Sequence, residues 1–380
     1  MGDPAVTRVG FVARVYLHLY NFHLPYMQML RSRGFEVHVY GGNDCAKRAI
    51  EQAGFICHDI PFRRNPFNPV NLKALAALLS GFRRQHLQLI HVHTPIAAAL
   101  SRIAARLTGI PKLIYTAHGF HFYGGCPLTG WLLYYPVERL LARWTDFLIT
   151  LNDEDYQRAL KFKVREKVYM IQGVGLDIEE FYQNSAPPPD LVLNRPNYFV
   201  ILQAGELNAN KNPLQIIKAV EKIVNQGRRV QCLLVGCGPQ ESELKRAVRK
   251  AGLQQYINFL GYRSDIPALM READVIVNMS IREGLPKVLI EGMAGGKPIL
   301  ATDIRGNRDL IKHGVNGLLV PVGDIEATSR ALDWLMDNPS LRQTMGAVNK
   351  EHSRSFELSC RLKDLEKIYL KALSSRKELR

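Results

Sequence analysis

The first half of the chain alternates short apolar, β-branched runs with longer amphipathic stretches. The amphipathic stretches repeat apolar residues every three or four positions, which is the helical period. The predicted strands are 8–12, 35–40, 87–93, 112–118, 146–151 and 167–171. The predicted helices are 24–34, 46–54, 68–82, 95–109, 128–144 and 153–162. Strands and helices alternating at this spacing indicate βαβ units and a parallel sheet.

A second alternation of the same kind begins at residue 198. Its predicted strands are 198–205, 230–236, 256–261, 274–280, 298–302 and 317–321. Its predicted helices begin at Pro213, Pro239, Ile266 and Pro286, and further helices run to the C-terminus. The fold class is therefore α/β, with two Rossmann-like, doubly wound domains of similar size. Ligands of such sheets bind beyond the carboxyl ends of the strands.

The two alternations are separated by residues 183–197, which contain three consecutive prolines and read as a stiff linker. We therefore expect domains at 1–185 and 186–355. The last stretch, 356–380, has leucines at helical spacing. It packs either on its own domain or back on the first domain. We expect it to pack on the first domain.

The composition is that of a soluble globular protein, with 47% hydrophobic and 22% charged residues. No apolar run reaches the ~18 residues that span a bilayer, and the N-terminus has no signal-peptide pattern. The six cysteines form no C-x-x-C pair, so we expect reduced thiols and a cytoplasmic protein.

The net charge of +15 favours anionic partners. Because the charge is spread along the chain without a basic tail, we expect no nucleic acid. Phosphorylated small molecules and an anionic membrane surface remain as possible anionic partners. Peripheral attachment to the inner face of the cell membrane is suggested by basic residues that lie near aromatic ones. These are Arg63, Arg64, Arg83, Arg84, Arg102 and Arg106, near Phe62, Phe67 and Phe82.

Candidate chemistry concentrates in the stretch REGLPKVLIEGMAGGKPIL, residues 282–300. Glu283 falls in the predicted turn after a buried strand, and Glu291 falls inside the following helix. The free amides at the start of that helix form an anion site. Two carboxylates around a phosphate cradle suit sugar hydroxyls on both sides of the phosphate. This pattern predicts a nucleotide sugar as ligand.

The seven residues between Glu283 and Glu291 give the spacing of the E-x7-E motif of retaining glycosyltransferases with the GT-B fold, and the chain resembles glycosyltransferase family four. The resemblance covers nearly the whole chain in the right order. It includes GELNANKN (205–212), LVGCGP (234–239), FLGYRSDIPALMREADVIVNMS (259–280) and TAHGFHFYGG (116–125). NFHLPY, RNPFNPVNLKAL and HVHTPIAAALSRIAAR are similar to enzymes that build bacterial capsule, exopolysaccharide and lipid-linked repeat units.

The resemblance implies two domains that face each other across a cleft, with the donor in the second domain and the acceptor in the first. It implies catalytic roles for His118, Glu283 and Lys211, with His118 on the donor sugar and Lys211 on the diphosphate. Glu291 would hold the ribose, and the backbone near Tyr262 and Arg263 would frame the base. The other implied donor-binding residues are Gly284, Leu285, Lys287, Val288, Leu289, Gly205 and Glu206.

The implied reaction transfers a hexose or N-acetylhexosamine from a UDP-sugar to a glycan or an undecaprenyl-diphosphate-linked acceptor in surface polysaccharide synthesis. The family retains anomeric configuration without an established protein nucleophile, so Glu283 is not assigned as one. The transfer is expected to need no cofactor and no metal. The loops 13–25 and 119–130 are expected to set the acceptor and linkage.

The sequence departs from the family pattern at two places. Glu206 replaces the usual arginine of the phosphate loop, and FVARVYLHLYNFHLP replaces the usual glycine-rich first loop. Arg14 in this segment is therefore a candidate for the missing diphosphate contact. His18 and His23 of the same segment are candidates for the acceptor side.

Two possible metal sites have simpler explanations. His91 and His93 share one face of a strand, with His118 and His121 in a nearby loop, but no carboxylate or cysteine joins them at ligand spacing. The sequence Asp153-Glu154-Asp155 lies at a predicted helix start, where acidic residues cap the helix and complement its dipole. We therefore expect no metal at either place.

Two other functions fit the same motifs. A GT-B epimerase of UDP-N-acetylglucosamine would use the carboxylates on the sugar ring and need no acceptor. A non-catalytic nucleotide-sugar-binding subunit would explain Glu206 and the missing glycine loop. Product analysis with donor and acceptor separates both from a transferase.

Overall fold

The computed structural model describes residues 6–183 and 197–374, and these residues form two compact units. The first unit comprises Met1–Val174 and Cys360–Arg380, and the second comprises Gly175–Ser359. The predicted linker lies largely outside the described residues, as does the predicted boundary at 185/186. All six cysteines are free thiols, as predicted.

The first unit is a seven-stranded parallel sheet with helices between its strands. Its strands are β1 (Arg8–Val15), β2 (Glu36–Gly42), β3 (Ile56–Asp59), β4 (Leu89–His93), β5 (Lys112–Ala117), β6 (Phe147–Thr150) and β7 (Lys167–Met170). Its helices are α1 (Tyr16–Ser32), α2 (Lys47–Gln52), α3 (Val70–Gln85), α4 (Pro95–Thr108), a π-helical turn (Gly130–Tyr134), α5 (Tyr135–Leu141), a 3₁₀ turn (Ala142–Trp144) and α6 (Asp153–Ala159).

The strand order of the first sheet is β3-β2-β1-β4-β5-β6-β7. The chain winds outward from β1 to β3 on one side and then restarts at β4 on the other. This reversal makes the carboxyl edge between β1 and β4 the topological switch point, where ligands of open parallel sheets bind. β4 is buried along its whole length, as expected of a central strand covered by helices on both faces.

The second unit repeats this plan with six parallel strands. They are β8 (Phe199–Ala204), β9 (Val230–Val235), β10 (Ile257–Gly261), β11 (Val275–Asn278), β12 (Ile299–Thr302) and β13 (Gly317–Val320). The helices are α7 (Ile178–Gln183), α8 (Pro213–Asn225), α9 (Glu241–Lys250), α10 (Ile266–Glu272), α11 (Lys287–Ala294), α12 (Asn307–Leu310), α13 (Ile325–Asp337), α14 (Pro339–Ser353), a 3₁₀ turn (Arg354–Phe356) and the start of α15 (Leu358–Ser374). The strand order β10-β9-β8-β11-β12-β13 places this switch point between β8 and β11.

The final helix α15 belongs to the first unit from Cys360 onward. Tyr369 is 1% exposed, and its hydroxyl lies 2.6 Å from Nδ1 of His91 on β4. Glu366 pairs with Arg33 just beyond the end of α1. The helix therefore completes the core of the first unit rather than that of the second.

The largest difference from the predicted elements lies at the N-terminus. The segment 13–25 is not a loop, because β1 extends to Val15 and α1 starts directly at Tyr16. Pro25 lies inside α1, where a helix interior usually excludes proline. The proline and the interleaved aromatic residues concealed this helix from the sequence pattern.

Three short elements, β3, α7 and α12, were also missed. β3 has only four residues, and none of them is fully buried, so it carries no apolar alternation. α12 has four residues and begins after Gly306. Among the described residues, no helix has the length and apolarity to cross a membrane.

Candidate functional site

At the switch point of the second sheet, the loops that follow β8 and β11 are tied together. The amide of Ile281 donates to the carbonyl of Asn210 at 2.7 Å, and Asn210 Nδ2 donates to the carbonyl of Arg282 at 3.0 Å. These bonds hold the loop that carries Lys211 against the loop that carries Glu283. The chain therefore presents both predicted residues at the edge where parallel sheets bind ligands.

Lys211 and Glu283 form an ion pair at this place. Nζ of Lys211 donates to Oε1 of Glu283 at 2.5 Å, and the side chains are 25% and 13% exposed. The aliphatic part of Lys211 lies over Gly205, whose missing Cβ would come within 3.4 Å of it. The same Oε1 lies 2.7 Å from the hydroxyl of Ser280. Ser280 is a part of the site that sequence reasoning missed, since a serine at a strand end carries no motif signal.

Helix α11 begins one residue later than predicted, because Pro286 is its extended N-cap residue and not its first helical residue. No side chain caps the helix, and its first turn holds no acidic residue. Among the described residues, the amides of Lys287 and Val288 have no hydrogen-bond partner, whereas that of Leu289 donates to the carbonyl of Pro286 at 3.1 Å. The start of the helix therefore offers two amides to an anion instead of the predicted three.

Glu291 lies one turn into α11, and Nζ of Lys287, four residues earlier in the helix, lies 3.2 Å from its Oε1. Burial raises the pKa of this carboxyl above 4.5, and Lys287 partly opposes the shift. The side chain is 15% exposed, so part of it is accessible to a ligand. Lys287 thus has a second role that the sequence prediction did not include.

Backbone segments around this site approach so closely that glycine is required. A Cβ on Gly236, which has a φ of +128°, would lie 2.1 Å from the carbonyl oxygen of Gly205. A Cβ on Gly306 would lie 2.3 Å from the carbonyl oxygen of Gly284. The Gly205 and Gly284 backbones, both predicted to bind donor, are therefore fixed by neighbouring loops.

The remaining predicted donor residues differ in how they are placed. Leu285 packs on the buried core and can offer only its backbone, while the side chain of Glu206 is exposed. Tyr262 is 72% exposed at the end of β10. Arg263 grips Asp265 through two hydrogen bonds of 2.8 and 2.6 Å. The guanidinium of Arg263 is therefore held by Asp265, and the predicted role of Arg263 in donor binding concerns its backbone.

At the switch point of the first sheet, the polar side chains are imidazoles rather than charged pairs. Nε2 of His118 lies 3.4 Å from Nε2 of His18, 3.2 Å from Nε2 of His23 and 3.3 Å from Nδ1 of His93. α1 supplies His18 and His23, β4 supplies His93, and the segment after β5 supplies His118. The amide of Arg14 donates to the Thr94 hydroxyl at 2.9 Å, which joins the ends of β1 and β4.

Burial keeps these imidazoles neutral. It lowers the pKa of His118 to about 4 and holds the pKa of His18, His23 and His93 well below 6.5. The neighbouring imidazoles further lower the pKa values of His18, His23 and His93, and Arg14 also lowers the pKa of His18. His23 and His93 are stacked with ring centroids 3.7 Å apart.

The histidines weighed from the sequence as a metal group come together only in part: Nε2 of His118 lies 3.3 Å from Nδ1 of His93, whereas the rings of His91 and His121 have other partners. His91 lies on the same strand face as His93, as predicted, but its ring nitrogens contact Tyr369 and Thr116. His121 stacks on Tyr134 with centroids 4.6 Å apart. The sequence could not reveal the true grouping, because His18 and His23 were assigned to a loop.

The acidic start of α6 positions the loop that follows His118. Asp155 accepts from the amide of Phe120 at 3.1 Å, and Glu154 accepts from that of Gly124 at 2.8 Å. Asn152 caps the helix by accepting from the amide of Asp155. Asp153, Glu154 and Asp155 lie in the first turn of α6, where their charges complement the helix dipole as predicted, but the prediction that they cap the helix is wrong because Asn152 is the cap.

Several residues proposed from the sequence for membrane contact are buried, and that part of the prediction is wrong. Arg102 is 1% exposed and pairs with Glu138 at 2.8 Å. Phe62 and Phe82 lie in the hydrophobic core, whereas Phe67 is 75% exposed. An apolar residue beside an arginine in the sequence does not show which of the two faces solvent.

Comparison with known proteins agrees with this geometry. Residues 192–352 match the family described as "Glycosyl transferases group 1", and residues 26–177 match "Glycosyltransferase Family 4". The chain is 35% identical over 369 residues to the putative glycosyltransferase EpsD of Bacillus subtilis, covering 95% of this chain and 96% of that one.

A second relative is the UDP-Gal:alpha-D-GlcNAc-diphosphoundecaprenol alpha-1,3-galactosyltransferase of Escherichia coli. It is 28% identical over 308 residues, which are 79% of each chain. Among solved structures, HepE of Anabaena in complex with UDP-glucose has a TM-score of 0.78 and 22% identity, and the match covers 96% of this chain and 99% of that one. At this identity the likeness shows the fold, which is GT-B.

Proposed function

We propose, because this chain belongs to the group 1 glycosyltransferases of family 4, that it transfers a hexose or N-acetylhexosamine from a UDP-sugar to a glycan or an undecaprenyl-diphosphate-linked acceptor. The reaction would serve bacterial surface polysaccharide synthesis. The Escherichia coli relative supports this class of substrates, since its name gives a UDP-Gal donor, a diphosphoundecaprenol-linked acceptor and an alpha linkage. The UDP-glucose bound by Anabaena HepE supports the same donor class.

The observation that carries the proposal is the pairing of Lys211 with Glu283 beside the open start of α11. A departing UDP develops negative charge on its β-phosphate. An ammonium and two unpaired amides are groups that stabilise such charge when they are fixed in advance. As the diphosphate binds, it would compete with Glu283 for Lys211 and so leave the carboxylate free for hydroxyls of the transferred sugar.

We propose the other roles from the resemblance to the family. Glu291 would accept hydrogen bonds from the ribose, and the Gly284 and Leu285 backbone would lie beside the sugar. The exposed Tyr262 and the Arg263 backbone would frame the uracil. His118 would contact the sugar and Arg14 the diphosphate, while His18 and His23 would line the acceptor side.

We propose retention of anomeric configuration by front-face attack, without a covalent sugar-enzyme intermediate. Oε1 of Glu283 contacts Lys211 and Ser280 in the free protein, and we propose that the carboxylate, once the diphosphate binds Lys211, accepts hydrogen bonds from sugar hydroxyls and does not attack the anomeric carbon. The departing phosphate would take the proton of the acceptor hydroxyl. Positive charge from Lys211 would serve the diphosphate in place of a metal ion.

The first unit also carries a surface suited to peripheral membrane attachment. Along residues 128–141, one face is aromatic and packs inward, with Trp131 and Tyr135 against Phe122. The opposite face is aliphatic and exposed: Leu128 and Leu132 are each 76% exposed. Val137 and Leu140 continue this exposed face at helical spacing.

A helix that is apolar on both sides is atypical of a water-facing surface. Arg139 and Arg143 are exposed on the same segment and would attract anionic lipid headgroups. We propose that this aliphatic face contacts the inner leaflet, where a polyprenyl-linked acceptor would be held. In vesicle flotation at low salt, Leu132→Gln with Leu140→Gln should reduce binding to anionic vesicles at least fivefold, whereas Leu214→Gln, in the second unit, should not.

The transferase proposal is tested by assaying UDP release with candidate UDP-sugars, with and without a lipid-linked acceptor. Acceptor-dependent UDP release and an elongated lipid-linked product are expected, and Lys211→Met should lose most of this activity. Lys218→Met, an exposed lysine on α8 of the same unit, is the matched control. Conversion of UDP-N-acetylglucosamine without acceptor would show an epimerase. A rise in melting temperature with the donor but no turnover with any acceptor would show a binding subunit.

A further inference from the structure

The histidine cluster of the first unit consists of His18, His23, His93 and His118. Hydrogen bonds among these four rings cannot pair all the ring nitrogens that face each other. Nε2 of His118 faces nitrogens of His18, His23 and His93 at 3.2 to 3.4 Å. A ring nitrogen carries either one proton or one lone pair, so it forms one good hydrogen bond. At least two of the three facing nitrogens are therefore left without a proper partner at this point.

Two of the three distances among the candidate ligand atoms correspond to those between ligands of one metal ion. In tetrahedral zinc sites the Zn–N bond is about 2.0–2.1 Å, which gives about 3.3–3.4 Å between two ligand nitrogens. His118 Nε2 lies 3.4 Å from His18 Nε2 and 3.2 Å from His23 Nε2. The three candidate ligand atoms all lie within 4.8 Å of one another.

We propose that His18, His23 and His118 form a binding site for one divalent transition-metal ion of the zinc class. Imidazole nitrogen is a preferred ligand of such ions, and three histidines with a water molecule make a common open coordination. His93 would lie beside the bound ion, next to His118. All three ligands belong to the first unit, and they are the residues that the proposed function places on the donor sugar and the acceptor side.

The surroundings give the site an entrance and rigid walls. His18 and His118 are partly exposed, so solvent reaches the position of a fourth ligand, whereas His23 is 3% exposed. His23 is held by its stacking on His93, and the segment after His118 is held by Asp155 through the amide of Phe120. Such fixed side chains reduce the entropy lost on binding an ion.

Two features limit the affinity. Nδ1 of His23 is buried without a hydrogen-bond partner among the described residues, whereas strong sites pair that nitrogen with a carboxylate or carbonyl. Arg14 lies close enough to His18 to act on it electrostatically, and it would repel a cation. We therefore expect binding to be weaker than in a closed four-ligand structural site, and reversible by chelators.

The test uses Co²⁺ as a probe, because four-coordinate Co²⁺ absorbs visible light far more strongly than six-coordinate Co²⁺. The full-length protein, freed of any purification tag and of metal, is titrated with Co²⁺ and then with Zn²⁺. We expect one Co²⁺ per chain with intense visible bands, which Zn²⁺ then displaces. Absence of saturable binding, or only the weak bands of six-coordinate cobalt, would overturn the proposal.

Variants assign the ligands. His18→Gln and His118→Gln should each weaken Co²⁺ binding at least tenfold. The control is His86→Asn, which removes an exposed imidazole at a left-handed position that asparagine tolerates and should leave Co²⁺ binding unchanged. Unchanged affinity in a folded His18→Gln variant would refute the assignment, with folding checked by circular dichroism. The rise in melting temperature with a UDP-sugar is measured in parallel on His18→Gln, because the proposed function does not place His18 on the donor, so loss of the metal site is distinguished from loss of the donor site.

Discussion

The two sheets present chemically opposite groups at equivalent places. At the β8/β11 switch point, the second unit sets two lysines against two glutamates, Lys211–Glu283 and Lys287–Glu291. At the β1/β4 switch point, the first unit gathers neutral, mostly buried imidazoles. The topology therefore indicates where each unit would bind a ligand, and the side chains would decide which ligand it is. A charged edge suits a nucleoside diphosphate, whereas an uncharged imidazole wall suits hydroxyls or a soft cation.

The largest expected effect is at Lys211, because our proposal places the negatively charged diphosphate of the donor at the second unit. Lys211→Met should lower kcat/KM by about 10²–10³, the range seen when one preorganised group at a developing charge is removed. UDP release under single-turnover conditions measures it, with Lys218→Met as the control. A loss of less than threefold would mean that the charge is stabilised elsewhere.

Glu283 should respond next. Glu283→Gln keeps the shape but removes the carboxylate that binds both Lys211 and, in our proposal, the sugar. We expect kcat/KM to fall about 10–100-fold, as for the loss of charge-assisted hydrogen bonds in a partly buried site.

The UDP affinity of this variant sharpens the assignment. Binding of UDP itself, measured by calorimetry, should be unchanged or tighter, because Lys211 is then free for the diphosphate. A loss of UDP affinity as large as the loss of UDP-sugar affinity would contradict the role on the sugar.

Glu291 gives a smaller effect and a pH signature. Glu291→Gln should weaken UDP binding about tenfold, the value of one or two hydrogen bonds to a charged group. Because burial raises the pKa of this carboxyl above 4.5, the folded protein binds its proton more tightly than the unfolded chain does. Its contribution to stability therefore falls as pH rises through the window between 4.5 and the raised pKa.

Thermal unfolding of Glu291→Gln and wild type across that window measures this contribution. The melting temperature of the variant should rise relative to wild type with increasing pH, up to a plateau above the window. A constant difference from pH 4 to pH 8 would show that the carboxyl has no shifted pKa in the folded state.

The smallest expected effect concerns Arg14, the residue by which the first unit would add positive charge to the donor. Arg14→Ala should weaken UDP-sugar affinity a few-fold, the scale of a partly exposed ion pair. Equal affinity in wild type and variant would remove Arg14 from the donor site. The charged groups of the donor site would then all belong to the second unit.

The second unit was the easier to predict. Its strands are continuous apolar runs bounded by glycine and proline, and the turn around Glu283 carries a spaced motif, so both appear in the sequence. The first unit conceals its site, because α1 contains Pro25 and starts without a cap or glycine. The contact of His23 with His118 joins residues 95 positions apart, and no local pattern encodes it. The burial of Arg102 was equally hidden, because its partner Glu138 lies on another helix.

The place of α15 has a consequence for how the protein is made. The hydroxyl that contacts His91 belongs to Tyr369, 278 residues later in the chain. A ribosome therefore synthesises the whole second unit before the first unit can bury Tyr369 against β4. Domains usually fold in order from the N-terminus during synthesis. Here the unit that begins first is completed last, because its histidines lack the contact with α15 until the second unit has been synthesised.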